Sequence, residues 1–119
     1  MKIKIEIIDR KTMRDKDTRD IEAARPQEED YILSFESMDA FNKVFSNKRV
    51  DMMKVIREKK PKSLFALARI LGRDFKNVHS DARMLEANRL ISLKKVKNGK
   101  RVSLKPVSKA DKIEFKMAI

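Results

Sequence analysis

Hydrophobic and polar positions alternate at both ends of the chain and follow a helical spacing between them. In Lys2-Ile3-Lys4-Ile5-Glu6-Ile7-Ile8 the isoleucines at 3, 5 and 7 share one face, the mark of a half-buried strand. Tyr31, Leu33 and Phe35 repeat the pattern over 31–35, and Ile113, Phe115, Met117 and Ile119 repeat it at the far end. Between the first two strands, residues 9–30 are mostly charged, with a thin apolar stripe of Met13, Ile21 and Ala24 that fits a solvated helix or a connector. Pro26 and the acidic run after it close that stretch.

From Ser37 onward the period changes. Ser37 is placed to N-cap a helix whose apolar face is Phe41, Val44 and Phe45, because a serine hydroxyl accepts from a free backbone N–H. Ser46 or Asn47 caps a second helix over about 48–60, with an expected stripe of Val50, Met53 and Ile56, stopped by Pro61. Ser63 caps a short third helix, Leu64–Leu71. Gly72 ends it by supplying a left-handed backbone. Asp74 starts a fourth helix that runs to about Asn88. Two strands, 90–97 and 100–105, then flank Asn98-Gly99, a strong signal for a type I′ hairpin, with Leu93 expected opposite Leu104 and Lys95 opposite Val102.

Helix, short helix, glycine turn, helix and basic hairpin is the order of a winged helix-turn-helix. The expected fold is therefore α+β, a winged helix-turn-helix with additional N- and C-terminal strands. The expected organisation is an N-terminal extension over 1–36, the winged helix-turn-helix over 37–105 and a C-terminal strand segment over 106–119. The terminal strands can pair with each other or across a two-fold axis, and the second arrangement would make a homodimer reading a palindromic site.

Charge sharpens this picture. The chain of 119 residues carries 30 Lys+Arg against 18 Asp+Glu, net +12. Residues 1–40 hold 8 basic and 11 acidic side chains, net −3, and residues 41–119 hold 22 and 7, net +15. Positive charge confined to the segment that resembles a winged helix points to a polyanion, double-stranded DNA, as partner. On the fourth helix, Val78 marks the centre of the buried face, with Ala82 and Leu85 beside it and Phe75 at its edge. Lys76, Asn77, Ser80 and Arg83 fall opposite, with His79 between the faces. Lysine and arginine reach phosphates and guanine edges, and asparagine reads adenine. Lys94, Lys95, Lys97, Lys100 and Arg101 crowd the hairpin, and Lys62, Ser63 and Arg73 complete the expected DNA-contacting set. The competing reading for the hairpin lysines is protection of a strand edge.

Other chemistries find little support. There is no cysteine and a single histidine, so no thiol nucleophile and no His/Cys metal set is available. Asp15, Asp17 and Asp20 lack the glycine and distal glutamate of a calcium loop. No apolar run reaches the length of a membrane span, and the first residues do not form a signal-peptide core. The expectation is a cytoplasmic, non-enzymatic protein with no cofactor and no metal.

Residues 34–93 also resemble a family of small archaeal and bacterial winged-helix proteins described as MarR-like predicted regulators. The words that carry the likeness are FESMDAF, NKRVDMMKVI and LARILGRDFKNVHSDARMLEANRLI, and Leu71–Asp81 is the most specific stretch. The resemblance implies transcriptional control. It also implies an alternative, a DNA-binding antitoxin whose acidic N-terminal third grips a basic toxin while the basic half regulates its own operon. One departure stands out: the family pattern has glycine before the closing Leu-Ile, where this chain has Arg89 after Asn88. Asn88 is expected to take the left-handed cap in its place.

Overall fold

The computed structural model describes residues 2–7, 30–109 and 111–117. Within them the chain is α+β and divides into two compact units: Met1–Lys43 with Ala110–Ile119, and Val44–Lys109. The residues at 9–29 to which a charged helix or connector was assigned, with Met13, Ile21, Ala24 and the aspartates at 15, 17 and 20, lie outside the described residues.

The first unit is built on a three-stranded sheet of order β2-β1-β5, from β1 (Lys2–Ile7), β2 (Asp30–Phe35) and β5 (Lys112–Met117). Both pairings are parallel, and the register aligns Ile3 with Tyr31 and Ile113, and Ile5 with Leu33 and Phe115. Aligned residues share a face, so the three alternating patterns stack into one apolar side and one polar side. Ile3, Ile5 and Ile7 of the central strand are buried, as is Phe35. Lys2 holds Glu114 across the polar side at 2.8 Å. The terminal strands thus pair with each other inside one chain. Helix α1 (Met38–Val44) follows β2, capped as expected by Ser37, whose Oγ accepts from the Ala40 amide at 3.1 Å. Its Phe41 ring meets Phe35 edge-on at 5.7 Å and Phe115 at 5.1 Å.

The second unit holds α2 (Asn47–Lys59), α3 (Leu64–Leu71), α4 (Phe75–Ala87), and an antiparallel hairpin of β3 (Ile91–Asn98) and β4 (Arg101–Ser108). Ser46 caps α2 through the Arg49 amide, and Ser63 caps α3 through the Ala66 amide. Gly72, at φ 64°, closes α3 in the left-handed region. The core combines Met52, Ile56, Leu64, Leu67, Val78, Ala82, Leu85, Leu90 and Ile91. On α2 the buried pair is Met52 and Ile56, whereas Val50 and Met53 are only half-buried, so the stripe is rotated from the one the spacing predicts. Several apolar residues crowd this helix, and packing against its neighbours decides which of them turns inward.

Two further expectations shift. Helix α4 ends with Arg89, not Asn88, in the left-handed conformation: φ is 60° at Arg89 and −92° at Asn88. The Leu90 amide then donates to the Leu85 carbonyl at 2.9 Å, and Asn88 uses its side-chain amide to donate to the Met84 carbonyl. The arginine occupies the place where a glycine would rest without a Cβ penalty. In the hairpin, Asn98 pairs with Arg101, so the two-residue loop is Gly99-Lys100 and Leu93 faces Pro106, while Lys95 faces Leu104. Positive φ at Gly99 alone is the signature of a type II′ turn, in place of the type I′ turn over Asn98-Gly99. The displacement is two residues, an even number, so every side chain keeps the face that the pattern assigns to it. Strand β4 also continues through Pro106 to Ser108, beyond the boundary expected at 105.

Candidate nucleic-acid interface

Helix α4 separates its two faces cleanly. Val78, Ala82 and Leu85 are fully buried, and Lys76, Asn77, Ser80 and Arg83 are exposed on the opposite side. The buried trio recurs at i, i+4 and i+7, which fixes the rotation of the helix about its own axis. His79 is half-buried beside Phe75, with ring centroids 5.8 Å apart. Phe75 in turn lies flat on Phe65 of α3, at 3.9 Å and 6° between planes. Phe65 is 63% exposed and so adds an aromatic surface next to the start of α4, one that the sequence reading did not single out.

The tilt of α4 is held by an ionic clamp. Asp81 accepts from Arg49 Nε of α2 at 3.1 Å through Oδ1 and from Arg73 Nη2 at 2.6 Å through Oδ2. The three side chains are only 15–19% exposed. One carboxylate therefore ties α2, the turn after α3, and α4 together. This changes the standing of Arg73: its guanidinium serves the interior of the unit and is not presented on the surface with Lys76 and Arg83. Asp81 was not among the expected functional residues. The one signal it offered was an acid on the flank of a helix otherwise facing outward with cations. Arg83 is exposed but engaged, since its Nη1 donates to Glu86 Oε1 at 3.0 Å one turn along.

The hairpin cations divide between two faces. Alternation from the observed register puts Lys95 and Lys97 on the side of Val102 and Leu104, and Lys94 on the side of Arg101 and Lys105. Lys100 occupies the turn. All of these cations are exposed. The second face of the hairpin and the start of α3 flank a groove of about 940 Å³, lined by Lys62, Ser63, Phe65, Val96, Arg101 and Lys105 among others. Every charged residue lining it is a cation. Lys62 therefore joins the hairpin set, whereas the Ser63 hydroxyl oxygen is occupied in capping α3. The structure brings Lys76, Asn77, Ser80 and Arg83 to one helix face. It gathers Lys62 and Arg101 at the groove and leaves Lys95 and Lys97 on the other side of the hairpin.

Among the described residues no cluster of three or more His, Asp or Glu side chains could hold a metal ion. No helix among them is long and apolar enough to cross a membrane. No curated protein and no solved structure matches the chain. The HVO_A0114 family model matches residues 44–115, which include the whole of the second unit, and the chain belongs to that family.

Proposed function

We propose that the chain is a transcriptional regulator that binds double-stranded DNA through a winged helix-turn-helix and catalyses no reaction itself. In this reading α3, the Gly72 turn and α4 form the helix-turn-helix, and the β3–β4 hairpin is the wing. The observation that carries it is the division of α4. One face is locked into the core, and the other presents Lys76, Asn77, Ser80 and Arg83 to solvent over its first three turns. Recognition helices present that end to base edges in the major groove. Asn77 can read adenine, Arg83 can leave Glu86 for guanine or phosphate, and the small Ser80 permits close approach.

The hairpin has a different task. Cations on both of its faces and in its turn suit a ribbon lying along the backbone, where phosphates approach from either side. Such contacts position the protein without selecting sequence. The charge of the two parts of the chain agrees with this, since net positive charge is concentrated in residues 41–119.

The test is binding to duplex DNA across a salt series. Each neutralised phosphate releases counterions, so log affinity is expected to fall against log salt with a slope of about −0.9 per contact. A flat salt response, or preference for single- or double-stranded RNA over duplex DNA in competition, would overturn the reading.

A further inference from the structure

Strand β5 lies at the edge of the three-stranded sheet, and its apolar side is incompletely covered. Ile113 is 41% exposed and Phe115 48%, although both align with fully buried isoleucines of β1. The other edge differs: on β2 the same face is half-buried at Tyr31 and Leu33 and buried at Phe35. An edge strand also presents a row of backbone N–H and C=O groups that template a further strand. Among the described residues, apolar exposure and an unpaired edge therefore coincide on β5.

We propose that the occupant of this edge is β5 of a second copy, paired antiparallel about a two-fold axis centred on Phe115. The strand's own alternation selects that register. Centred on 115, Phe115 faces the partner's Phe115, Ile113 faces the partner's Met117, and Glu114 faces the partner's Lys116. Opposite charges meet on the polar side and apolar residues meet on the other. Centred on 114, Lys112 would face Lys116 of the second copy and Glu114 would face itself, both like-charge pairs, which destabilise antiparallel ladders. Centred on 113, Asp111 would face Phe115. Any odd displacement sets the apolar side of one strand against the charged side of the other. The result is a continuous six-stranded sheet of order β2-β1-β5-β5-β1-β2, its central ladder antiparallel and its apolar face uninterrupted. Lys2 already holds Glu114 at 2.8 Å, so each glutamate lies between a cation of its own chain and one of the second copy.

The pairing is independent of DNA and is tested without it. Sedimentation of the full chain at micromolar concentration is expected to give twice the monomer mass. Phe115→Lys places like charges opposite each other at the axis and is expected to weaken the dimer by roughly tenfold or more. Because the chain contains no cysteine, single cysteine substitutions report the register directly. Phe115→Cys is expected to form an intermolecular disulfide under mild oxidation. Ile113→Cys is not, because four residues along the ladder separate the two copies of that position by about 13 Å, well beyond disulfide reach. A wild-type monomer at all concentrations would overturn the proposal, and so would a dimer unaffected by Phe115→Lys. Equal cross-linking at 113 and 115 would overturn it as well.

Discussion

Replacing Asp81 by asparagine tests whether the ionic clamp sets the geometry of α4. The substitution preserves shape, removes the charge and turns an amide N–H₂ group toward at least one guanidinium. Two charge-assisted hydrogen bonds are lost or weakened, at 3.1 and 2.6 Å. Bonds of that kind contribute about 1.5–3 kcal/mol each. Breaking a fully buried pair costs about 3–5 kcal/mol because a charge is stranded. Here the groups retain some contact with water, and Arg73 Nη1 is buried with no hydrogen-bond partner in the native protein. The expected loss is therefore about 3 kcal/mol, the lower end of the sum of the two bonds. For a unit of this size that corresponds to a fall in Tm of roughly 12–24 °C. Thermal and urea unfolding measure it, with Arg83→Ala as the comparison. That change breaks the exposed Arg83–Glu86 pair and is expected to cost no more than about 0.5 kcal/mol. A double-mutant cycle of Arg49→Met with Asp81→Asn is expected to show strong coupling. Stability reduced by less than about 1 kcal/mol in Asp81→Asn, or simple additivity in the cycle, would refute the reasoning.

Arg89→Gly relieves a left-handed residue at the end of α4 and is expected to stabilise the protein by about 1 kcal/mol, read from the urea midpoint at unchanged slope. The hydrogen bond from Lys2, with Lys112 and Lys4 adding to it, holds the Glu114 carboxyl below its ordinary pKa of 4.5. A carboxylate lowered on folding stabilises above its unfolded pKa, and that contribution is lost as pH falls through the folded value. An NMR titration is expected to place the Glu114 midpoint below 4.5 and to move it back toward 4.5 in Lys2→Met. For DNA binding, Asn77→Ala or Arg83→Ala is expected to cost roughly 1–3 kcal/mol on a preferred site and relax selection at one or two base pairs. Lys97→Ala with Lys100→Ala is expected to weaken all sequences alike and flatten the salt slope by about one unit per lost contact; binding-site selection with each variant separates the two roles.

Features set by neighbours in sequence were legible in advance. Ser37, Ser46 and Ser63 cap helices because a hydroxyl needs only the amide three residues on, and Gly72 ends α3 because left-handed backbone is a local requirement. The two faces of α4 were also readable, since its apolar residues are few and evenly spaced. What depends on distant partners was not. The rotation of α2 toward Met52 is decided by what packs against it, and the parallel pairing of β1 with β5 joins segments from opposite ends of the chain. The Gly99-Lys100 turn displaced the expected loop because Asn98-Gly99 and Gly99-Lys100 both satisfy a glycine requirement. Only the pairing partners of the strands choose between them. Asp81 escaped notice because an acid on a helix carries no mark in the sequence of the two arginines that converge on it.

The sheet order has a consequence for how the chain acquires its structure during synthesis. Strand β1 precedes both of its partners along the chain and occupies the centre of its sheet, yet one of its flanking strands, β5, is made only after the whole of Val44–Lys109. Val44–Lys109 is continuous and complete before β5 exists, so that unit can fold while β1 still has one side unpaired. During that interval Ile3, Ile5 and Ile7 lack half of their ladder, and the nascent chain carries a strand open to mispairing with its neighbours. The prior folding of Val44–Lys109 shortens the wait: it replaces a long flexible loop by a compact body and lowers the entropy lost when β5 finds β1.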